Sequence, residues 1–178
     1  MFVFVKEAYR NIVQTGSIIE SSPYLARKMM QFIDFEKPLQ LVEMGAGKGS
    51  ITGHLLDKMN PQSKLSGFEM NTVLFEELKK EEDYRFVPIH DDVMNITQYF
   101  KAGSLDYIIS GLPLANMGGL KKARLLNDCY QLLKPGGCYI QFQYCKTDLA
   151  LIKRRFEHVH CEFTLLNLPP AFIYYAEK

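Results

Sequence analysis

Several features that would single out a function class are missing from these 178 residues. Charge of one sign is absent: 21 Lys and Arg stand against 20 Asp and Glu, a net +1. No field over the whole surface therefore recruits a polyanion, which disfavours nucleic acid without excluding a local basic patch. Cysteine is scarce. Cys129, Cys138, Cys145 and Cys161 form no C-x-x-C pair, and so few in a chain this long imply a reducing, cytoplasmic setting rather than a disulfide framework. No apolar run approaches the roughly 20 residues a transmembrane helix needs. The leading Met1–Val5 is too short for a signal core and runs at once into Lys6 and Glu7. Repeats, low-complexity tracts and Pro/Ser-rich linkers are lacking, which favours one domain over 1–178 with 1–34 as a helical N-terminal segment. No metal is expected. Along a strand, alternation puts His158 and His160 on the face opposite Cys161.

What is present is a regular alternation of short apolar runs and helical periods. Apolar residues at 2, 5, 8, 9, 12 and 13 predict an amphipathic N-terminal helix. Ser22-Pro23 reads as an N-cap with proline in the first turn, opening a helix to about Phe32. Strands are predicted at 39–44, 64–70, 84–89, 105–110 and 138–144. Helices are predicted at 50–59, 72–80, near 95–101, at 120–133 and at 148–156. Lys134-Pro-Gly-Gly137 reads as the turn before the fifth strand. Two strand-like stretches, 157–167 and 171–176, follow each other across Pro169-Pro170. Such βα alternation predicts an α/β, Rossmann-like sheet of seven strands, mostly parallel, with helices on both faces. Its last two strands would form an antiparallel hairpin.

The first strand ends in Glu43-Met-Gly-Ala-Gly-Lys-Gly49. Glycines there permit a sharp turn and the close approach of a ligand, in the crevice where open α/β sheets bind ligands. A dinucleotide loop would carry its third glycine at position 50, which is Ser50. The acid at 43 would repel a diphosphate but suits a cationic ligand. Glu69 ends the second strand, 20 residues past Gly49, where a carboxylate accepts from ribose hydroxyls. Asp91 and Asp92 follow the third strand, where an adenine amine would lie.

These segments resemble the class I S-adenosylmethionine-dependent methyltransferases, and more narrowly the bacterial phospholipid N-methyltransferases that act on phosphatidylethanolamine or ornithine lipids. The likeness runs through Gly16–Met29, the Glu43–Gly49 loop, Gly67-Phe-Glu-Met-Asn71, Ser110-Gly-Leu-Pro-Leu114, Leu132-Leu-Lys-Pro-Gly-Gly137 and Asn167-Leu-Pro-Pro170. The resemblance implies that S-adenosylmethionine is held by Glu43, Gly45, Ala46, Gly47, Gly49, Glu69, Met70, Asp91, Asp92, Val93 and Ser110. It further implies a catalytic loop of Ser110, Gly111, Leu112 and Pro113, in which backbone carbonyls around Ser110 to Leu112 orient an acceptor amine while the proline fixes the loop. Tyr24, Leu114 and Tyr144 are candidates to line the acceptor opening.

The acceptor it implies is a lipid amine or another small amine. Peripheral contact with the inner face of a membrane would run through the N-terminal helix, aided by Lys121-Lys122-x-Arg124 and Lys153-Arg154-Arg155. Two alternatives stand beside this reading. The rRNA adenine dimethyltransferases carry Asn-Leu-Pro-Tyr where this chain has Gly111-Leu-Pro-Leu114. It therefore lacks both the carboxamide that would accept from the adenine amine and the ring that would stack on a flipped base. A non-catalytic module that binds S-adenosylmethionine is the other.

Overall fold

The computed structural model describes residues 22–167 and 169–178, so the expected N-terminal helix lies outside the described residues. In chain order the elements are α1 (Pro23–Met29), β1 (Gln40–Met44), α2 (Ser50–Leu56), β2 (Lys64–Phe68), α3 (Thr72–Leu78) and β3 (Phe86–Ile89). A 3-10 turn (Val93–Gln98), β4 (Leu105–Ser110), a second 3-10 turn (Leu114–Asn116) and α4 (Gly119–Leu132) follow. The chain closes with β5 (Leu133–Gln143), α5 (Leu149–Arg155), β6 (His158–Thr164) and β7 (Ala171–Glu177). All seven strands join one sheet in the order β3-β2-β1-β4-β5-β7-β6. β1 to β5 pair in parallel, and β7 runs antiparallel to both β5 and β6.

Local chemistry explains where the helices begin. The Ser22 hydroxyl accepts from Leu25 N at 3.1 Å and Pro23 opens α1, as an N-cap with proline behind it should. Asn71 Oδ1 caps α3 by accepting from Val73 N and Leu74 N. Apolar helix faces then cover both sides of the sheet. Leu25, Met29, Ile51, Leu55 and Leu78 pack with Leu41, Leu65, Ile109 and Ile140 on one side. Leu125, Cys129, Ile152 and Phe156 pack with Val42, Met44, Ile108 and Tyr139 on the other.

The fifth strand departs from the expected boundaries. Instead of a free Lys134–Gly137 turn, the extended backbone starts at Leu133, directly after α4. The C-terminus explains the extension: Gly136 N donates to Lys178 O and Lys178 N donates to Gly137 O, at 2.8 and 3.0 Å. The cost is an irregularity in register against β4 between Leu105 and Tyr107. Local turn chemistry gave way to pairing with residues some 40 positions downstream in the sequence.

Candidate active site

β1 and β4 are adjacent and parallel, and Met44 pairs with Ser110, so the glycine loop and the 110–114 loop leave the sheet side by side. Gly45, Gly47 and Gly49 all have positive φ, at 76°, 59° and 85°. At Gly45 a Cβ would also lie 2.8 Å from Leu112 Cδ2, whereas at Gly47 it would meet no atom within 4 Å. The loop is thus closed against the neighbouring strand at one glycine and open at the next.

The donors of the loop are spent internally. Gly45 N and Ala46 N both donate to Phe68 O at 2.9 Å, Gly47 N donates to Glu69 Oε2 at 2.9 Å, and Gly49 N donates to Ala46 O. A phosphate-binding loop points a run of backbone N–H groups at its ligand. Here those of 45, 46, 47 and 49 are committed, which matches a ligand without a pyrophosphate. Glu69 joins the second strand to the first: Oε2 holds Gly47 and Oε1 accepts from Asn71 N at 2.8 Å. Two hydrogen bonds leave lone pairs on both carboxylate oxygens for further donors such as ribose hydroxyls.

The other expected donor-site residues divide by exposure. Met70 is exposed beside Glu69. Asp91 is held by its surroundings: Asn95 Nδ2 and the Asp92 amide donate to Oδ1, and the Tyr99 hydroxyl to Oδ2. These bonds, Asn95 first, keep its carboxyl below the usual range. Asp92 is exposed and uses Oδ1 to cap the first 3-10 turn through Met94 N. Ala46 and Val93 are buried, in the core clusters on opposite faces of the sheet. Glu43 also sits beneath the loop rather than beside it. Its carboxyl is 1% exposed and accepts from the Thr52 hydroxyl at 2.5 Å. Burial raises its pKa to about 8; the Thr52 bond opposes this, and the charge of Glu69 adds to it.

On the acceptor side the structure corrects part of the sequence expectation. Ser110 is buried, and its hydroxyl serves the loop, accepting from Leu112 N at 3.3 Å and bonding the Tyr139 side chain. The Leu112 carbonyl accepts from Gln141 Nε2 at 3.0 Å and Leu114 N at 2.9 Å. Two donors fill its lone pairs, so it is not available to orient an amine. Leu114 lies fully in the core and lines no opening. Pro113 leads directly into the second 3-10 turn. Gly111 backs onto the glycine loop: a Cβ there would stand 3.2 Å from Gly45 O and 3.8 Å from the Phe142 ring. An asparagine at 111 would crowd that carbonyl.

Tyr24 and Tyr144 do come to the same edge of the sheet, through a residue whose role the sequence did not reveal. Asn167 is buried; its Oδ1 accepts from Ser22 N at 3.3 Å, its Nδ2 donates to Pro169 O at 2.8 Å, and its side chain bonds Tyr144. Burial raises the pKa of the Tyr144 hydroxyl and the bond to Asn167 works against it. Gln141 was missed as well. It is buried, accepts from the Tyr139 hydroxyl at 2.6 Å and anchors the 110–114 loop. Strand alternation marks Tyr139, Gln141 and Gln143 as one face, and polar residues on a core face were the available signal. Among the described residues no three His, Cys, Asp or Glu side chains are grouped to hold a metal ion.

A methyltransferase-domain family model matches residues 42–139, more than half of the chain. The chain belongs to that family. It is an enzyme of the class I S-adenosylmethionine-dependent methyltransferases, with S-adenosylmethionine as its methyl donor. Among curated proteins it is similar to an ornithine lipid N-methyltransferase of Singulisphaera acidiphila. That match is 28% identical over 180 residues and covers 98% of this chain and 94% of the relative. It is also similar to a tRNA N(3)-methylcytidine methyltransferase of Drosophila melanogaster, at 28% identity, over 66% of this chain but 38% of that protein. Among solved structures, a SAM-dependent methyltransferase from Archaeoglobus fulgidus aligns with a TM-score of 0.70 at 11% identity, covering 87% of this chain and 93% of the other. Human methyltransferase-like protein 13 in complex with SAH aligns with a TM-score of 0.64 at 18% identity, covering 80% and 73%. These structural likenesses bear on the fold.

The donor fits the residues present. The space over Gly47 is open, an acid stands at the tip of β2, and a second acid lies under the loop.

Proposed function

We propose that the chain N-methylates the amine of a lipid head group. The observation that carries the acceptor assignment is the end-to-end likeness to an ornithine lipid N-methyltransferase, 28% over nearly the full length of both chains. The packing of Gly111 against Gly45 O supports it, since a Cβ there would stand 3.2 Å from that carbonyl and an asparagine like that of an adenine methylase would crowd it.

S-adenosylmethionine supplies an electrophilic methyl group on a sulfonium. The chain's own residues do the rest by binding and alignment, which can remove several kcal/mol of barrier. Glu69 would accept from the ribose hydroxyls while holding Gly47 in place. Asp92, exposed at the end of β3, would take the adenine amine. The Glu43 carboxyl, which keeps its proton below about pH 8, would oppose the positive charge of the methionyl end from below the loop only once it ionises. Leu112 and the Ser110–Tyr139–Gln141 bonds fix the loop that faces the acceptor, and Tyr24 and Tyr144 border its approach. The acceptor amine attacks as the free base, so kcat/KM would rise with pH towards the amine's own pKa.

The test is transfer of label from methyl-labelled S-adenosylmethionine to vesicles containing phosphatidylethanolamine or ornithine lipid, with total tRNA and rRNA in parallel. Labelled monomethyl and dimethyl lipid is expected. Label in RNA with none in any amine lipid would overturn the acceptor assignment and favour the RNA reading that the Drosophila relative raises. Donor binding without transfer to either would favour a non-catalytic module.

A further inference from the structure

The edge of the sheet that carries the glycine loop also carries an apolar tip that donor binding does not use. β6 runs parallel to β5 because both are antiparallel to β7, so the chain leaving β6 at Leu165 emerges on the crevice side. Leu165 and Leu166 are 73% and 62% exposed there, flanked by Phe163 at 51% and Tyr24 at 53%. Leu166 and Tyr24 line one shallow groove together with Arg27 and Lys28. The tip is braced. The Ser22 hydroxyl donates to Leu166 O at 3.2 Å, Asn167 clamps both Ser22 N and Pro169 O, and two prolines restrict the backbone. Adjacent leucines held out by a fixed loop mark a contact surface more than scattered apolar residues do.

Among the described residues, the charge left without an ion-pair partner on both faces of this edge is cationic. The Arg27 guanidinium lies 5.9 Å over the Tyr24 ring. On the opposite face Lys146 Nζ lies 4.8 Å over Phe172, whose ring packs 4.8 Å from that of Phe163. The neighbouring acids are neutralised: Glu162 pairs with Lys28 at 2.5 Å, and buried Asp148 pairs with Lys122 at 2.6 Å. Apolar side chains at a tip with cations set around them match an anionic interface, where leucine and aromatic groups enter the acyl boundary and cations stay among phosphates. A second copy of the chain suits the tip less, because a two-fold contact would set these cations against their equivalents.

We infer that this tip, from Tyr24 and Arg27 to Phe163–Leu166 and Lys146, docks on an anionic lipid bilayer. β6 stands three strand spacings from β4, on the order of 14 Å. A bilayer touching the tip therefore brings head groups to the mouth of the crevice without a lipid leaving the membrane. The inference rests on the lipid-amine reading for the purpose of the docking.

The experiment is sedimentation of the full chain with phosphatidylcholine vesicles, with and without phosphatidylglycerol. Neither lipid offers a primary amine, so binding is read apart from transfer. The wild type is expected to bind the phosphatidylglycerol vesicles and to release as salt is raised. The L165S/L166S double variant should lose about tenfold or more in vesicle affinity, with S-adenosylmethionine binding by calorimetry unchanged. R27E should lose the salt-sensitive part. A wild type that stays in the supernatant, or a double variant that binds like wild type, would overturn the proposal. So would a dimer that the double variant dissolves in the absence of vesicle binding, which assigns the tip to a second copy. Methyl transfer to a short-chain, water-soluble amine lipid separates the two readings. Transfer without vesicle binding rejects only the docking, and vesicle binding without transfer rejects only the acceptor assignment.

Discussion

An acid beside the glycine loop was expected from the letters Glu43-x-Gly-x-Gly-x-Gly49, but its burial and its protonation state were not. The sequence placed the acid beside the ligand, whereas the fold encloses it with Thr52 as its hydrogen-bond donor. Burial then raises its pKa from 4.5 to about 8. Between those values the folded protein keeps the proton that the unfolded chain releases, so rising pH favours unfolding across this window. Glu43→Gln removes that dependence. Thermal melts of the donor-free protein should show the variant gaining on wild type from pH 5 to pH 8, with no further change above. A difference that stays constant with pH would show that the carboxyl does not titrate in this window. The same variant should bind S-adenosylmethionine about as well as wild type near pH 6, where the Glu43 carboxyl holds its proton, and more weakly only above about pH 8, where that carboxyl is charged.

At the scale of elements, periodicity and capping chemistry located most strands and helices within a few residues. Ser22-Pro23 opens α1, and β4 spans Leu105–Ser110 as expected. What periodicity could not show is how one element fixes another. Ser110, Gly111 and Leu112 were expected to present carbonyls to the acceptor, with Pro113 fixing the loop. Instead β5 reaches across and takes the Leu112 carbonyl through Gln141, whose own oxygen is held by Tyr139. Gln141→Leu would take one of two partners from the buried Tyr139 hydroxyl and from the part-buried Leu112 carbonyl, at about 0.5–1.5 kcal/mol each. Urea titration should register that loss. Hydrogen exchange at Leu112 and Leu114 should accelerate more than at the core of β1, whereas uniform acceleration would mean that Gln141 supports the whole fold and not the loop.

The whole molecule decides which charges are available. Lys121-Lys122-x-Arg124 reads as a basic surface cluster, but Lys122 is turned inward to Asp148 at 2.6 Å, with side chains 13% and 5% exposed. Arg124 is engaged by Asp128 and by Met94 O. In the second cluster, Arg155 lies 3.6 Å over the Tyr130 ring. Lys121, Lys153 and Arg154 stay exposed, so each cluster keeps only part of the surface charge that the sequence suggests. The Lys122–Asp148 pair ties α4 to the segment after β5, where Gln143 Nε2 also donates to Asp148 at 3.1 Å. Breaking it with Lys122→Met strands a buried carboxylate and should cost about 3–5 kcal/mol, while Lys122→Met with Asp148→Leu should recover much of the loss. Chemical denaturation of both variants checks this. A double variant as unstable as the single one would mean that the pair contributes net stability beyond compensating its own burial.

The sequence by itself determined the α/β alternation, the glycine loop with its acids at successive strand ends, and hence the donor crevice. Those depend on backbone propensity and on residues within about 30 positions of one another. Only the tertiary structure decided that Glu43 lies beneath the loop and that Leu114 is core. Only it brought Asn167 to Ser22 and Tyr144, and put Leu165 and Leu166 at the crevice edge. The physical reason is that burial and hydrogen-bond partnership are properties of the space between elements, and strand order sets that space without leaving a local pattern in the chain.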